Sequence, residues 1–214
     1  MIKVVVVDDH DLVRTGIKKL LNDAQGIKVV GEAADGESAL KVTREHQPDI
    51  VLMDIKMPGI GGLEATKKLL RSNPDLKVIA LTICDDDLFP SRTLQAGAFG
   101  YLTKGATVNE MVKAIRSVYA GQRYISPDIA SQLALKHISD QGDSPFDELS
   151  ERELQVTLMI VNGLKVQEIS SRLCLSPKTV NSYRYRIFEK LNIKNDVELT
   201  HLAYRHNLVE NIKD

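Results

Sequence analysis

Long apolar runs, cysteine and net charge are what this chain has least of, and each shortage removes a class of function. No stretch approaches the roughly 18 uninterrupted apolar residues that a membrane-crossing helix requires. The start, MIKVVVVDDH, breaks into acids too soon for a signal peptide, so a cytoplasmic protein is expected. Cysteine occurs only at Cys84 and Cys174, with neither a second cysteine nor a histidine at metal-ligand spacing. That spacing offers no thiolate metal site, and both thiols are expected to be reduced and buried. The formal charge is -1 over 214 residues, which decides nothing about partners by itself. The length suits one large domain or two ordinary ones, with ample apolar content for their cores.

What is present is organised around VLMDIKMPGIGG, residues 51–62. Val51, Leu52 and Met53 form a short apolar run closed by Asp54, the pattern of a buried strand that delivers one carboxylate to an open edge. Met57-Pro58-Gly59 turns the chain, and Gly61-Gly62 keep the backbone close to whatever Asp54 holds before Leu63 begins a helix. The same alternation runs through the first 120 or so residues. Lys3 to Val7 is a β-branched strand ending in Asp8-Asp9, and Leu12, Val13, Ile17, Leu20 and Leu21 mark one face of the helix after it. Strand-like Lys28 to Ala33 precedes a helix from Gly36 to His46; the Asp54 strand precedes one from Leu63 to Ser72. Lys77 to Thr82 precedes a helix from about Leu88 to Ala96, and Ala98 to Leu102 precedes Val108 to Tyr119. Five βα units predict a flavodoxin-like, doubly wound, five-stranded parallel sheet with helices on both faces, a domain spanning residues 1–121.

Residues 122–146 gather Pro127, Ser139, Gly142, Ser144 and Pro145 and read as a linker, with a short helix possible after Ser126-Pro127. From 147 to 214 the pattern is all helical. Ser150 and Glu153 form a capping box, with Leu149 and Leu154 placed for a hydrophobic staple. That helix runs to Asn162-Gly163, a second covers Val166 to Leu173, and Cys174-Leu175-Ser176 turns into a third. Ser176 is its N-cap, Pro177 its first residue and Leu191 its end; a fourth spans Val197 to Arg205.

Two constellations carry chemistry. In a sheet of order 2-1-3-4-5, Asp8, Asp9 and Asp54 converge on one crevice. Three carboxylates that close repel one another and ask for a cation. Hard oxygen ligands suit Mg²⁺, which would also neutralise an incoming phosphoryl group while Asp54 attacks as nucleophile. Thr82 ends the fourth strand and Lys104 follows the fifth, a mobile charge able to reach a phosphoryl oxygen. Taken singly each has a plainer reading, as a cap or a solvated group. His10 reads as a surface residue, and Asp85-Asp86-Asp87 as a solvated loop or cap.

These residues, with VIALTI and GYLTKG around Thr82, Tyr101 and Lys104, resemble the receiver domain of two-component response regulators. The resemblance implies that Asp54 accepts phosphate from a sensor histidine kinase or phosphotransfer domain. It further implies that Asp9, Asp54 and the Lys56 carbonyl hold Mg²⁺ with Asp8 assisting, and that Thr82 and Tyr101 are a switch pair. Many receivers place proline after the lysine; here it is Gly105, which makes a cis bond less favourable.

The second constellation is the helix Pro177 to Leu191. Val180, Tyr183, Ile187 and Leu191 share one face and are expected to pack, leaving Lys178, Asn181, Ser182, Tyr185 and Arg186 outward. Lys178, Arg184, Arg186 and Lys190 oppose Glu189 alone, a local positive excess suited to a phosphate backbone. A short helix, a tight turn and a capped basic helix predict a helix-turn-helix whose second helix enters the major groove of double-stranded DNA. The stretch from LSEREL to EKLNI is similar to the LuxR-type four-helix domain. A receiver joined to that domain defines the NarL/FixJ class, and FDELS with SPKTVNSYRYRIFEKL resembles the GacA/UvrY group within it. The class-level match places Asn181, Ser182 and Tyr185 at base edges and Lys178, Thr179, Tyr183, Arg184 and Lys190 at phosphates, although Asn181 and Tyr183 depart from the more usual Lys and His. It also implies a homodimer on phosphorylation, with Val197, Leu199, Thr200 and Ala203 as the dimer face.

A rival from another class is an Mg-dependent phosphohydrolase working through an aspartyl-phosphate, since Asp9-His10-Asp11 after an apolar strand resembles the Asp-x-Asp start of haloacid-dehalogenase-type enzymes. That reading leaves Asp54 without a role. A third, a receiver that only docks proteins, leaves the basic capped helix unexplained.

Overall fold

The computed structural model describes residues 1–57, 59–82, 89–138, 144–173, 175–206 and 208. Cys84, Cys174, Pro58 and the run 85–87, each given an expectation above, lie outside them. The chain divides into two compact units, Met1–Ile138 and Ser139–Asp214.

In the first unit strands and helices alternate as β1 Ile2–Val7, α1 Asp11–Asp23, β2 Ile27–Ala33, α2 Gly36–His46, β3 Ile50–Asp54 and α3 Gly61–Ser72. They continue as β4 Lys77–Thr82, α4 Phe89–Gln95, β5 Gly100–Thr103, α5 Val108–Tyr119, β6 Tyr124–Ile125 and α6 Pro127–Ile138. All pairings are parallel, in the order β2-β1-β3-β4-β5-β6. Parallel strands joined through helices must be covered on both faces, which is why β1 and β3 read as unbroken apolar runs. Side chains alternate between the two cores so formed. Val4, Val6 and Leu52 pack with Ile17 and Leu21 of α1 and Met111 and Ile115 of α5. Val5, Val7, Val51 and Met53 pack with Ala39 of α2 and with Ala65 and Leu69 of α3.

Three expectations change here. The sheet keeps the anticipated order of five strands and gains a sixth, two-residue strand at its edge, too short to carry a periodic signal. The segment expected to be a linker holds this strand and a full twelve-residue α6, whose Ile129 is buried. On α1 only Ile17 and Leu21 of the expected stripe are buried; Leu12, 88% exposed, and Leu20 face solvent, because the covered face of this helix is narrow.

The second unit opens with a 3-10 turn, Pro145–Glu148, followed by α7 Glu151–Val161, α8 Val166–Arg172, α9 Pro177–Leu191 and α10 Asp196–Arg205. The capping box is formed: Ser150 N–H donates to Glu153 Oε2 at 2.8 Å, and Glu153 N–H to Ser150 Oγ at 3.4 Å. Ser176 Oγ accepts from Thr179 N–H at 3.1 Å, and Pro177 occupies the first turn of α9, where a missing N–H costs nothing. Phe146, Leu154, Ile169, Val180, Ile187 and Leu199 are fully buried and form the core. No helix among the described residues is long and apolar enough to cross a membrane.

Candidate functional site

The register of the first sheet brings the carboxyl ends of β1, β3, β4 and β5 level, with Val7 beside Met53, Asp54 beside Leu81 and Thr82 beside Thr103. Asp8 and Asp54 therefore meet, as the alternation of strands and acids implied. Asp54 is 1% exposed and Asp8 fully buried. Lys104 Nζ lies 2.8 Å from Asp54 Oδ2 and 2.8 Å from Asp8 Oδ2, bridging the two carboxylates. The Lys56 N–H donates to Asp54 Oδ1 at 3.0 Å, and the Lys56 carbonyl belongs to the same bend. Glycine is needed at 62 because a Cβ there would run into the Asp54 carbonyl, so the start of α3 packs directly on the loop behind the acid.

His10 is exposed, as expected of a surface residue, and in addition borders this cluster. Its N–H donates to Asp8 Oδ1 at 2.8 Å, and its Nδ1 lies 2.8 Å from Asp9 Oδ1. One ligand atom from each of Asp8, Asp9, His10 and Asp54 falls within 4.8 Å of the others. The signal available in sequence was its position, one residue beyond two strand-end acids.

Burial pushes the Asp54 carboxyl up to about 6; Asp8 adds to the rise, while Lys104 and the Lys56 N–H oppose it. Burial alone would pull the Lys104 ammonium down, but Asp54 and Asp8 outweigh it and the net direction is up. Three carboxylates against one ammonium leave uncompensated negative charge in a mostly buried crevice. Oxygen donors with such an excess fit a hard divalent cation of the Mg²⁺ type.

Thr82 is buried at the end of β4, and its carbonyl accepts from the Lys104 N–H at 2.6 Å. Tyr101, on β5 beside Ala80, is fully buried. Any switch that uses this pair starts from a ring already inside. The peptide after Lys104 is trans, since no bond among the described residues is cis.

On α9, Lys178, Ser182, Tyr185 and Arg186 stand outward, Tyr185 at 72% exposure, and Thr179 Oγ1 lies 2.8 Å from Ser176 Oγ. Asn181 and Tyr183 are half-buried, Tyr183 with the Arg186 guanidinium 5.9 Å from its ring centre. Two expected phosphate contacts are already engaged within the unit. Arg184 forks onto Asp196, Nε to Oδ1 at 3.2 Å and Nη2 to Oδ2 at 2.6 Å, and its Nη1 donates to Asn181 Oδ1 at 3.1 Å. Lys190 Nζ lies 2.6 Å from Glu153 Oε2 and 3.2 Å from the Glu148 carbonyl. Burial raises the Glu153 carboxyl, but Lys190 and Ser150 together bring it below the usual carboxylate range.

The expected dimer face needs correction. Leu199 and Ala203 are fully buried in the unit's own core, because α10 turns that side toward α7. Thr200 is half-buried with its hydroxyl on the Asp196 carbonyl, and Val197, 66% exposed, is the apolar residue of the four that stands open.

Residues 4–116 match the family described as the response regulator receiver domain, and residues 147–203 match the bacterial regulatory proteins of the luxR family. The chain is 67% identical to response regulator GacA of Pseudomonas aeruginosa, over 98% of this chain and 99% of that protein. It is 62% identical to response regulator UvrY of Escherichia coli K12, over 97% and 96% of the two chains. Among solved structures, RcsB from Salmonella enterica serovar Typhimurium, bound to a promoter in the presence of phosphomimetic BeF3-, aligns at TM-score 0.65 and 26% identity. That alignment covers 94% of this chain and 97% of RcsB.

Proposed function

We infer how this chain works from its membership of a family: it belongs to the response regulators that join a receiver domain to a LuxR-family helix-turn-helix domain. It is a DNA-binding transcription regulator of a two-component system, similar to GacA and UvrY over nearly its whole length.

Within that role Asp54 is the phosphoacceptor. The observation that carries this is the burial of its carboxylate at a strand end with Lys104 Nζ at 2.8 Å. One Asp54 oxygen attacks the phosphorus of a phosphohistidine on a sensor kinase or phosphotransfer domain; the N–P bond breaks and an acyl phosphate forms on Asp54. Lys104, now shared between Asp54 and Asp8, turns to a phosphoryl oxygen, and Thr82 offers its hydroxyl to another. Asp8, Asp9, Asp54 and the Lys56 carbonyl are the groups that would hold Mg²⁺, which when bound supplies charge neutralisation for the phosphoryl group. Replacing Asp54 by Asn is expected to abolish labelling by acetyl phosphate in the presence of Mg²⁺. Full labelling of that variant would sink the assignment.

The receiver core spans residues 1–121 and the DNA-binding domain 147–214, in keeping with the two family matches, while of the expected linker 122–146 the part up to Ile138 belongs to the first compact unit. Helix α9 enters the major groove, with Asn181, Ser182 and Tyr185 toward base edges and Lys178, Thr179, Tyr183 and Arg186 toward phosphates. RcsB, one of the solved relatives, is bound to a promoter in its structure. Phosphorylation favours a homodimer in which Val197 and Thr200 of two α10 helices meet, since two-fold pairs of recognition helices match symmetric half-sites. The protein works in the cytoplasm, where kinase and DNA are both within reach.

The phosphohydrolase reading loses its second acid. Asp11 is 82% exposed and paired with Arg14 at 2.5 Å, outside the cluster of Asp8, Asp9, His10 and Asp54.

A further inference from the structure

We propose that Asn181 reads DNA as a hydrogen-bond donor and prefers guanine to adenine, because Asp196 at the start of α10 holds Arg184, and Arg184 in turn holds the Asn181 side-chain oxygen. This deepens the DNA-recognition reading above and rests on it.

Asn181 and Arg184 are three residues apart on α9, a spacing that puts side chains side by side on a helix. Arg184 spends two nitrogens on the two carboxylate oxygens of Asp196, at 3.2 and 2.6 Å, the parallel geometry that fixes a guanidinium in its plane. Its flank lies 5.8 Å from the ring centre of Phe188, one turn further on. The remaining nitrogen, Nη1, therefore has one direction available, and it donates to Asn181 Oδ1 at 3.1 Å. A guanidinium has donors and no acceptor. Turning the amide over would set its amino group against Arg184, donor against donor, so the orientation of Asn181 is chosen by its neighbour.

Asparagine ordinarily reads adenine with both atoms at once, the oxygen accepting from N6 and the amino group donating to N7. That mode needs oxygen and nitrogen aimed at the same base. Here the oxygen is turned along the helix to Arg184, and the amino group is the end left for a base edge. Guanine offers that amino group two neighbouring acceptors in the major groove, O6 and N7, whereas adenine offers N7 alone and sets its N6 amino group against a second donor contact. Asp196 is then a positioning residue that decides a base preference from outside the groove. The same geometry occupies Arg184, although it lies on the basic helix, with Asp196.

The test selects bound duplexes from a randomised pool with the full chain treated with acetyl phosphate, and sequences them. Wild type, Asn181→Ala and Asp196→Ala are compared, with circular dichroism as the check of folding. One base position per half-site is expected to lose its preference in Asn181→Ala, and wild type should favour guanine over adenine there by about tenfold. Asp196→Ala should bring that ratio near one while leaving preferences elsewhere in the site unchanged, which a merely destabilised domain would not do. Should Asp196→Ala fail to fold, Asp196→Asn, which keeps the shape and weakens the fork, should move the ratio in the same direction. Adenine favoured at the Asn181-dependent position, or an unchanged ratio in the Asp196 variants, overturns the proposal and leaves the regulator reading standing. No position altered by Asn181→Ala overturns it too, by removing Asn181 from the readers. A pool from which wild type enriches nothing defeats the DNA-recognition reading and the proposal together.

Discussion

Asp54 is held ionised at a cost. Its carboxyl sits at about 6 in the folded chain against 3.8 when solvated, with burial as the main cause. A folded value above the unfolded one means that the folded form holds its proton more tightly. The resulting stabilisation is fully present below the unfolded value and is lost as pH rises through about 6. Metal-free protein should therefore be less stable at neutral pH than Asp54→Asn by on the order of 3 kcal/mol. The gap should close as pH falls toward the unfolded value. Thermal melts of both forms in chelator across that range provide the check; a gap that widens on acidification would contradict the burial account. Adding Mg²⁺ should shrink the gap at neutral pH, because the ion stabilises the ionised carboxylate that the buried crevice disfavours.

Helix α9 illustrates how an element's charge count differs from its charge supply. Four basic residues lie on it, yet Arg184 and Lys190 are occupied by Asp196 and Glu153 of the same unit. Those pairs tie α9 to α10 and to the capped start of α7. Lys178 and Arg186 are exposed and stand outside those two ion pairs. Lys178→Ala should weaken binding to all duplexes alike and flatten the dependence of log affinity on log salt by about 0.9. Arg184→Ala should leave that slope unchanged and lower the melting temperature of the second unit. Fluorescence-anisotropy titrations at several salt concentrations, beside thermal melts, separate the two; a flattened slope for Arg184→Ala would return that residue to the phosphate set. On α10 the same distinction between a helix and its accessible face moves Leu199 and Ala203 into the core and leaves Val197 outside.

At the scale of the whole molecule, the acid crevice and the basic helix lie in separate compact units. Asp54 can influence DNA only by changing how the units, or two copies of the chain, are arranged, and phosphate must interact differently with the two arrangements to do so. Thr82 and Lys104 stand at the crevice, and Tyr101 is already buried. Duplex titration should show acetyl phosphate tightening binding by the full chain and leaving a fragment of residues 144–214 unchanged. Starting at Ser144 retains the cap of the 3-10 turn that seats Phe146 in the core. Equal affinity of the full chain with and without phosphodonor at every concentration would remove the switch.

Local patterns carried much of this protein unaided. Alternating β-branched strands and amphipathic helices required a parallel sheet covered on both faces, and acids at strand ends marked Asp8, Asp9 and Asp54. The caps Ser150 and Ser176 placed two helix starts to the residue, since capping is chemistry among residues three apart. Tertiary structure decided what depends on partners distant in sequence. The edge strand β6 exists by pairing with β5, and His10 enters the acid cluster because of how the chain leaves β1. Arg184 and Lys190 are engaged by acids twelve and thirty-seven residues away. Which apolar face of α1 or α10 is covered was likewise settled by neighbouring helices, because periodicity states that a helix has a face and packing determines how much of it is buried.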